Sequence, residues 1–393
     1  MTLFKQSHIQ HYAASTTDFE AAVFNTLTAE GFERAGEVIS KWDGYQPTPL
    51  HLLPGLAAQC KVGSVLYKDE SKRFHLRSFK ALGGAYAAHQ LIARLLTDKL
   101  GRQIDSQDLF DPALTDEIAQ IHICTATDGN HGRSVAWGCQ QIGAPCHIFI
   151  HAEVSQGRAD AMAAFGAQIN RINGNYDASV DAAKQASKDY GWHVVSDTSY
   201  EGYTQVPTEV MLGYGVLASE ITEQTEEPPT HVFLQGGVGG MAAAIAARLL
   251  QQWPDVDMQI VIVEPEQADC LYQSAKAGKI SVVDITDETV MAGLSCGEPS
   301  MVAWRVLEGC AQHFTTVPDA LVAPTMQRLV LNHGDDPALE AGESAVAGVC
   351  LLLAASEQPA LYTQLKLTPE SSVLIIGSEG ATDPEIYEAL LKN

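Results

Sequence analysis

A chain of 393 residues is long enough to bury a large core and to divide into two or three domains. With 46% hydrophobic and 18% charged residues it reads as globular, which excludes a disordered chain. The formal net charge of −24 repels nucleic acid and anionic membranes, so neither is expected as a partner.

The N-terminal stretch MTLFKQSHIQHYAASTTDFE has no unbroken apolar segment and reads as lacking a secretory signal. The longest apolar run, residues 349–355, is too short to span a bilayer. A cytoplasmic protein is the expectation. Eight cysteines in a chain this long, without a CxxC pair or zinc-type spacing, predict reduced thiols rather than a disulfide scaffold. Whether Cys270 and Cys296 pair is a question of geometry.

Strand-like SVLYKD (64–69) comes first, and Lys80 then opens an apolar helical pattern in SFKALGGAYAAHQLIA (78–93). HICTAT (122–127), a helix from 130 to 142, CHIFIH (146–151), a helix around 155–165, AQINRI (167–172), a helix at 176–190 and HVVSD (193–197) follow. An acidic, proline-containing stretch, EITEQTEEPPT (220–230), is the best interior boundary. The rhythm resumes with HVFLQ (231–235), a helix near 240–251 and QIVIVEP (259–265), and closes with SSVLIIGSEG (371–380) and a last helix. Alternation of this kind predicts open, mostly parallel sheets with helices on their faces. The expected domains are 1–85 with 230–393 as a large one, and 86–229 as a smaller inserted α/β domain.

Such sheets bind ligands beyond the carboxyl ends of their strands, and several marked segments fall there. Lys80, in apolar surroundings, is either a snorkelling helix-end lysine or a desolvated amine suited to Schiff-base chemistry. LQGGVGGMAAAIAARLL (234–250) is a strand–turn–helix glycine loop of the kind that cradles phosphate. Gly237, Gly239 and Ala242, with Glu264 ending the next strand, also fit a dinucleotide fingerprint. Ser378 at a strand end either faces a ring nitrogen or stabilises a turn. GLSCG (293–297) matches a hydrolase nucleophile elbow, yet no strand directly precedes it and Pro299 follows closely. Thirteen histidines without an HExxH predict no metal site. Asp128 in TDGNHGRSVAWG is a carboxylate at a helix start, where anions are favoured; it is a cap, or it reports the charge of a ligand. Asp197 is a second carboxylate at a strand end, equally readable as a loop cap.

In order, Lys80 in SFK, Asn130 in DGNHG, the loop GGVGG and Ser378 in SEG resemble the fold type II pyridoxal-phosphate enzymes, the tryptophan synthase β-like group. Within that group GYQPTPL (44–50), KDESKRF (68–74), DGNHGRSVAW (128–137), SDTSYEGYT (196–204), VEPEQADC (263–270), MAGLSCGEP (291–299) and GESAVAG (342–348) are similar to the diaminopropionate ammonia-lyases. The resemblance runs from about residue 44 to the C-terminus. It implies two open, mostly parallel twisted sheets with helices on both faces, and pyridoxal 5'-phosphate between a large and a small domain. It further implies that Lys80 forms the Schiff base and that Gly236, Gly237, Val238, Gly239 and Gly240 cradle the phosphate. Asn130 then meets the ring hydroxyl oxygen and Ser378 the pyridine nitrogen. Thr127, Asp128, Gly129 and His131 form the loop that holds the substrate.

Serine and threonine dehydratases of this fold usually carry a serine where this chain has Asp128. A carboxylate there repels the carboxylate of an amino-acid substrate at short range, but attracts the extra amino group of 2,3-diaminopropionate. The reaction implied is α,β-elimination to pyruvate and two ammonia, from both enantiomers. Lys80 serves as base for the L-form and Asp128 for the D-form, and Asp197 assists. The group is commonly homodimeric. A serine/threonine dehydratase, a β-replacing synthase, a nicotinamide-binding oxidoreductase built on Gly237, Gly239 and Glu264, and a non-catalytic pyridoxal-phosphate protein are the alternatives.

Overall fold

The structure is a computed structural model and describes residues 2–16, 19–127, 129–331 and 334–392. Its described residues cluster into two compact units, one from 1–32, 46–79 and 217–393, the other from 33–45 and 80–216.

The first unit is built on strands β1 (Gln10–Ala13), β2 (Leu50–Leu52) and β3 (Ser64–Asp69), and its sheet continues after a long excursion of the chain. The second unit contributes β4 (Ile123–Ala126), β5 (Cys146–Ile150), β6 (Gln168–Arg171) and β7 (His193–Val194). The first resumes with β8 (His231–Gln235), β9 (Gln259–Pro265), β10 (His313–Val317) and β11 (Ser372–Gly377). Among the described residues the first sheet has seven strands in the order β1-β10-β9-β8-β11-β3-β2. Its interior pairs are parallel, and only the short edge strands β1 and β2 run antiparallel. The second sheet, β6-β5-β4-β7, is parallel throughout. Both sheets are therefore of the open, mostly parallel kind read from the alternation.

Strands β8, β9 and β10 are buried at every residue. A central parallel strand covered on both faces needs such a run, and HVFLQ and QIVIVEP supply it. Strand β10, HFTTV, was not expected because it is half polar. Burial is tolerated at Thr315 and His313 because their polar groups are used. The Thr315 hydroxyl donates to the Ile262 carbonyl at 2.8 Å, and the His313 ring bridges His11 at 3.0 Å and Gln259 at 3.3 Å.

The core of the first unit centres on the helix Ala347–Glu357, which is apolar nearly all round and buried accordingly. Gly348 lets it lie on the sheet: a Cβ there would stand 3.0 Å from Ile375 and 3.3 Å from Phe233.

In the second unit the helix Lys80–Leu100 crosses the helix Asn130–Ile142 through small residues. A Cβ on Gly138 would stand 2.6 Å from the Ala85 Cα. At the crossing the Ser134 hydroxyl accepts from the Ala85 N–H at 3.0 Å and donates to the Ala81 carbonyl at 3.2 Å. That side chain ties the first turn of the Lys80 helix to its neighbour, so packing and hydrogen bonding fix where the amine starts from.

Candidate active site

Lys80 is the first residue of its helix, at the end of the loop SFK. Its Nζ donates to Asp197 Oδ2 at 2.5 Å and lies 5.9 Å from the ring centroid of Tyr214. Neither charge is deeply enclosed: the two side chains are 20% and 15% exposed. Burial alone would push the Asp197 carboxyl up, but the Lys80 ammonium and His131 outweigh it and hold the carboxyl well below the usual range. Asp197 is thus an ionised carboxylate facing the Lys80 amine. The chain reaches this arrangement across 117 positions, because β7 pairs with β4 and delivers Asp197 beyond its carboxyl end.

The turn after β4 carries the other expected groups. The Thr127 hydroxyl accepts from the N–H groups of Gly129 and Gly132, both at 3.2 Å, and so holds the turn itself. A side chain at Gly132 would collide with Thr127 and Met162, so the backbone must be bare at that point. Asn130 opens the following helix and is half-buried. The imidazole of His131 is buried, with Nε2 3.0 Å from the Val195 carbonyl and Nδ1 3.8 Å from Asp197 Oδ2. Asp128 lies outside the described residues.

In the first unit the glycine loop leaves the carboxyl end of β8. Gly237 (φ +60°) and Gly239 (φ +91°) adopt the left-handed backbone that favours glycine. The helix Gly240–Gln252 starts directly afterwards, and its first N–H groups have no intrahelical acceptor. A second contact anchors the loop: the Val238 carbonyl accepts the Ser300 N–H at 2.9 Å. Loop and helix start present the donors that suit a phosphate.

Register brings Ser378 to the same place. Strands β8 and β11 pair Phe233 with Ile375, so continuing the parallel ladder sets Ser378 level with Gly236. Gln235 confirms the adjacency by donating to the Ile376 carbonyl at 2.6 Å. The Ser378 carbonyl in turn accepts the Phe79 N–H at 3.1 Å, and Gly380 N–H donates to the Arg77 carbonyl at 2.9 Å. The segment leading into Lys80 is therefore stitched to the segment carrying Ser378.

Two sequence alternatives lose their geometric basis. Glu264 does end β9, but its carboxylate turns inward and accepts the N–H groups of Leu271 at 2.9 Å and Tyr272 at 2.7 Å. It caps the helix Cys270–Ala277 beneath the glycine loop, and a Cβ on Gly236 would strike it. It is fully buried and not available to a ribose. GLSCG forms a 3₁₀ turn at Ala292–Leu294 with the next helix starting only at Met301, so Ser295 sits on no strand-to-helix elbow. All eight cysteines are reduced, and the Cys270 thiol donates to the Gly237 carbonyl at 3.6 Å. Sequence reading missed Tyr214 beside Lys80, for it sits inside an apolar helical stretch with nothing to mark it.

Comparison with known proteins adds to this geometry. The family described as pyridoxal-phosphate dependent enzyme matches residues 41–365. The chain is 41% identical over 355 residues to the diaminopropionate ammonia-lyase of Escherichia coli K12, covering 88% of each. It is 37% identical over 366 residues to the Salmonella typhimurium LT2 enzyme of the same name, covering 90% of each. A crystal structure of the Escherichia coli diaminopropionate ammonia lyase in complex with an aminoacrylate-PLP azomethine reaction intermediate superposes with a TM-score of 0.89. There the identity is 37%, with 98% of this chain and 97% of that chain covered.

Proposed function

Because the chain belongs to the diaminopropionate ammonia-lyases, within the pyridoxal-phosphate-dependent enzymes, we propose that it eliminates ammonia from 2,3-diaminopropionate of either enantiomer, releasing pyruvate and two ammonia. The observation that carries this reading is the Lys80–Asp197 pair, an amine at a helix start held 2.5 Å from an ionised carboxylate.

The residues fit the cofactor. The left-handed glycines and the open first turn after β8 form a donor set for a phosphate, and Ser378 stands level with that loop in the ladder. Gly236, Gly237, Val238, Gly239 and Gly240 would hold the phosphate by backbone N–H groups. Ser378 would meet the pyridine nitrogen with a neutral hydroxyl, and Asn130 the ring hydroxyl oxygen. Lys80 would hold the cofactor covalently. When bound, pyridoxal phosphate supplies an electron-withdrawing ring that accepts charge developing at Cα.

The chain's own groups do the rest. Thr127, Gly129 and His131 belong to the turn that would receive the substrate carboxylate. Asp128 would attract the β-ammonium, which selects diaminopropionate over serine or threonine. Lys80 removes the α-proton of the L-form and Asp128 that of the D-form. Asp197 holds the Lys80 amine in place and accepts its proton. The same reading makes the protein a cytoplasmic homodimer; among the described residues no helix is long and apolar enough to cross a membrane.

The test is product stoichiometry. Holoprotein is incubated with D- and L-2,3-diaminopropionate, and separately with serine and threonine. Two ammonia per pyruvate, formed far faster from diaminopropionate, is the expected result. Faster turnover of serine or threonine, with one ammonia per ketoacid, makes the protein a dehydratase instead.

A further inference from the structure

One nitrogen beside Lys80 has no role in this scheme. Nε2 of His131 is 3.0 Å from the Val195 carbonyl, and a carbonyl only accepts, so Nε2 carries the ring proton. Burial lowers the proton affinity of the ring and keeps it neutral. Nδ1 is then a bare lone pair, buried and without a hydrogen-bond partner among the described residues. It faces Asp197 Oδ2 at 3.8 Å, the same oxygen that takes Lys80 Nζ at 2.5 Å. Among the described residues Asp197 and Lys80 are the charged groups acting on this ring.

Two acceptors facing each other in a buried place are tolerated only while a cation neutralises one of them. Lys80 does so while it is an ammonium. Once its nitrogen gives up that charge, the carboxylate and the lone pair form a ready-made seat for one proton.

We propose that His131 is a positioning residue that completes a proton-holding pair with Asp197, and that this pair holds the proton Lys80 gives up while the amine takes the α-proton. This rests on the elimination proposed above, although the pair itself does not. The proton balance closes. Lys80 loses a proton to Oδ2 along the existing hydrogen bond, and Nδ1 shares it. The Cα–H electron pair becomes the second Cα–Cβ bond, and the α-proton restores Lys80. The Cβ–N electron pair leaves with the β-nitrogen, which enters as the ammonium and departs as ammonia without a further proton, and the stored proton stays on the Asp197–His131 pair until product leaves.

The experiment has two readouts on the holoenzyme. The first is ¹⁵N NMR of histidine-labelled protein across pH, with His131 identified by its loss in His131→Asn. Wild type shows an Nε2–H ring that gains its proton at Nδ1, and Asp197→Asn lowers the pH of that uptake by roughly one unit or more. An unchanged titration in Asp197→Asn overturns the pair. The second readout is kinetic. Asn at 131 keeps a donor for Val195 but has no Nδ1, so kcat falls ~10-fold or more, the pH profile shifts, and KM stays constant. A raised KM with constant kcat makes the side chain a substrate ligand and overturns the proposal, as does no change in either. If wild type forms no pyruvate from diaminopropionate, the functional reading fails, while the NMR comparison still decides the pair.

Discussion

Arg73 clasps Glu220, 147 positions later in the chain, through two parallel hydrogen bonds, Nη1 to Oε1 at 2.7 Å and Nη2 to Oε2 at 2.8 Å. The same guanidinium grips Glu70 through Nε and Nη2, both at 2.9 Å. Lys68 Nζ reaches Glu220 Oε2 at 2.7 Å, and all four side chains are at most 2% exposed. Two cations balance two anions in a closed network, and bidentate geometry gives it direction as well as charge. Because Arg73 lies just upstream of the segment stitched to Ser378, the network fixes the chain entering the candidate site.

Breaking a buried network on one side is costly because a charge is left uncompensated. Arg73→Met is expected to lower stability by about 3–5 kcal/mol in denaturant titration, whereas changes at exposed pairs such as Lys392–Glu388 cost under about 1 kcal/mol. The pH sign follows from Glu220. Burial pushes its carboxyl up, but Arg73 and Lys68 more than reverse this, so its proton affinity falls below the ordinary value. For Lys68, burial outweighs the pull of Glu220 and Glu70, and its affinity is lowered as well. A depressed carboxyl gives stability that is present above its unfolded pKa and lost as pH falls through the folded one. Acid unfolding should therefore begin below about pH 4, and Glu220→Gln should be less stable at neutral pH with a flatter acid limb.

Between Arg73 and Lys80 the backbone is strained. Phe74 (φ 46°), His75 (φ 62°) and Arg77 (φ 59°) all sit in the left-handed region without being glycine. His75 is exposed, so its side chain contributes little packing. Glycine there relieves ~1–2 kcal/mol of strain and loses ~0.5–1 kcal/mol to unfolded-chain entropy. His75→Gly should thus gain on the order of 1 kcal/mol, read as a raised Tm; a lower Tm would show that the turn is not strained at this residue.

Glu264 behaves in the opposite sense to Glu220. Burial pushes its carboxyl up to about 8, against the pull of two backbone N–H groups. An acid with a raised folded pKa costs stability as pH climbs from the unfolded value near 4.3 to about 8, at most ~1.4 kcal/mol per pH unit. The stability difference between Glu264→Gln and wild type should grow in favour of the variant across that window and level off above it. A constant difference would mean the carboxyl is ionised throughout.

Lys80→Ala is expected to remove the visible absorbance of protein-bound pyridoxal phosphate, since no other amine is proposed to hold it. An unaltered cofactor spectrum would transfer that role elsewhere.

Asp128→Asn should spare turnover of L-diaminopropionate and depress that of the D-form by roughly 100-fold or more, the usual scale for a lost general base. Equal losses on the two enantiomers would show that Asp128 binds the β-ammonium without serving as a base.

Much of this architecture was legible because it depends on local rules. SVLYKD, HVFLQ and QIVIVEP are apolar β-rich runs bounded by turns, and they form β3, β8 and β9 at the expected residues. Lys80 and Asn130 open their helices as expected. Strand β10 was not legible, because HFTTV owes its burial to hydrogen bonds with Ile262, Gln259 and His11 that no local pattern encodes. Glu220 shows the same limit. In sequence it belongs to an acidic boundary stretch; in the fold it is 2% exposed at the end of a helix, neutralised by Arg73 and Lys68.

By itself the sequence determined the α/β class, the glycine loop after β8, and the order Lys80, Asn130, Ser378, since these follow from periodicity, turn chemistry and residue type along the chain. Only the tertiary structure decided that Glu264 caps a helix rather than meeting a ligand, and that Lys80, Asp197 and His131 form one charged cluster. The reason is physical. Proton affinity and hydrogen-bond direction depend on burial and on which groups lie within a few ångströms, and strand pairing sets that proximity between residues remote along the chain.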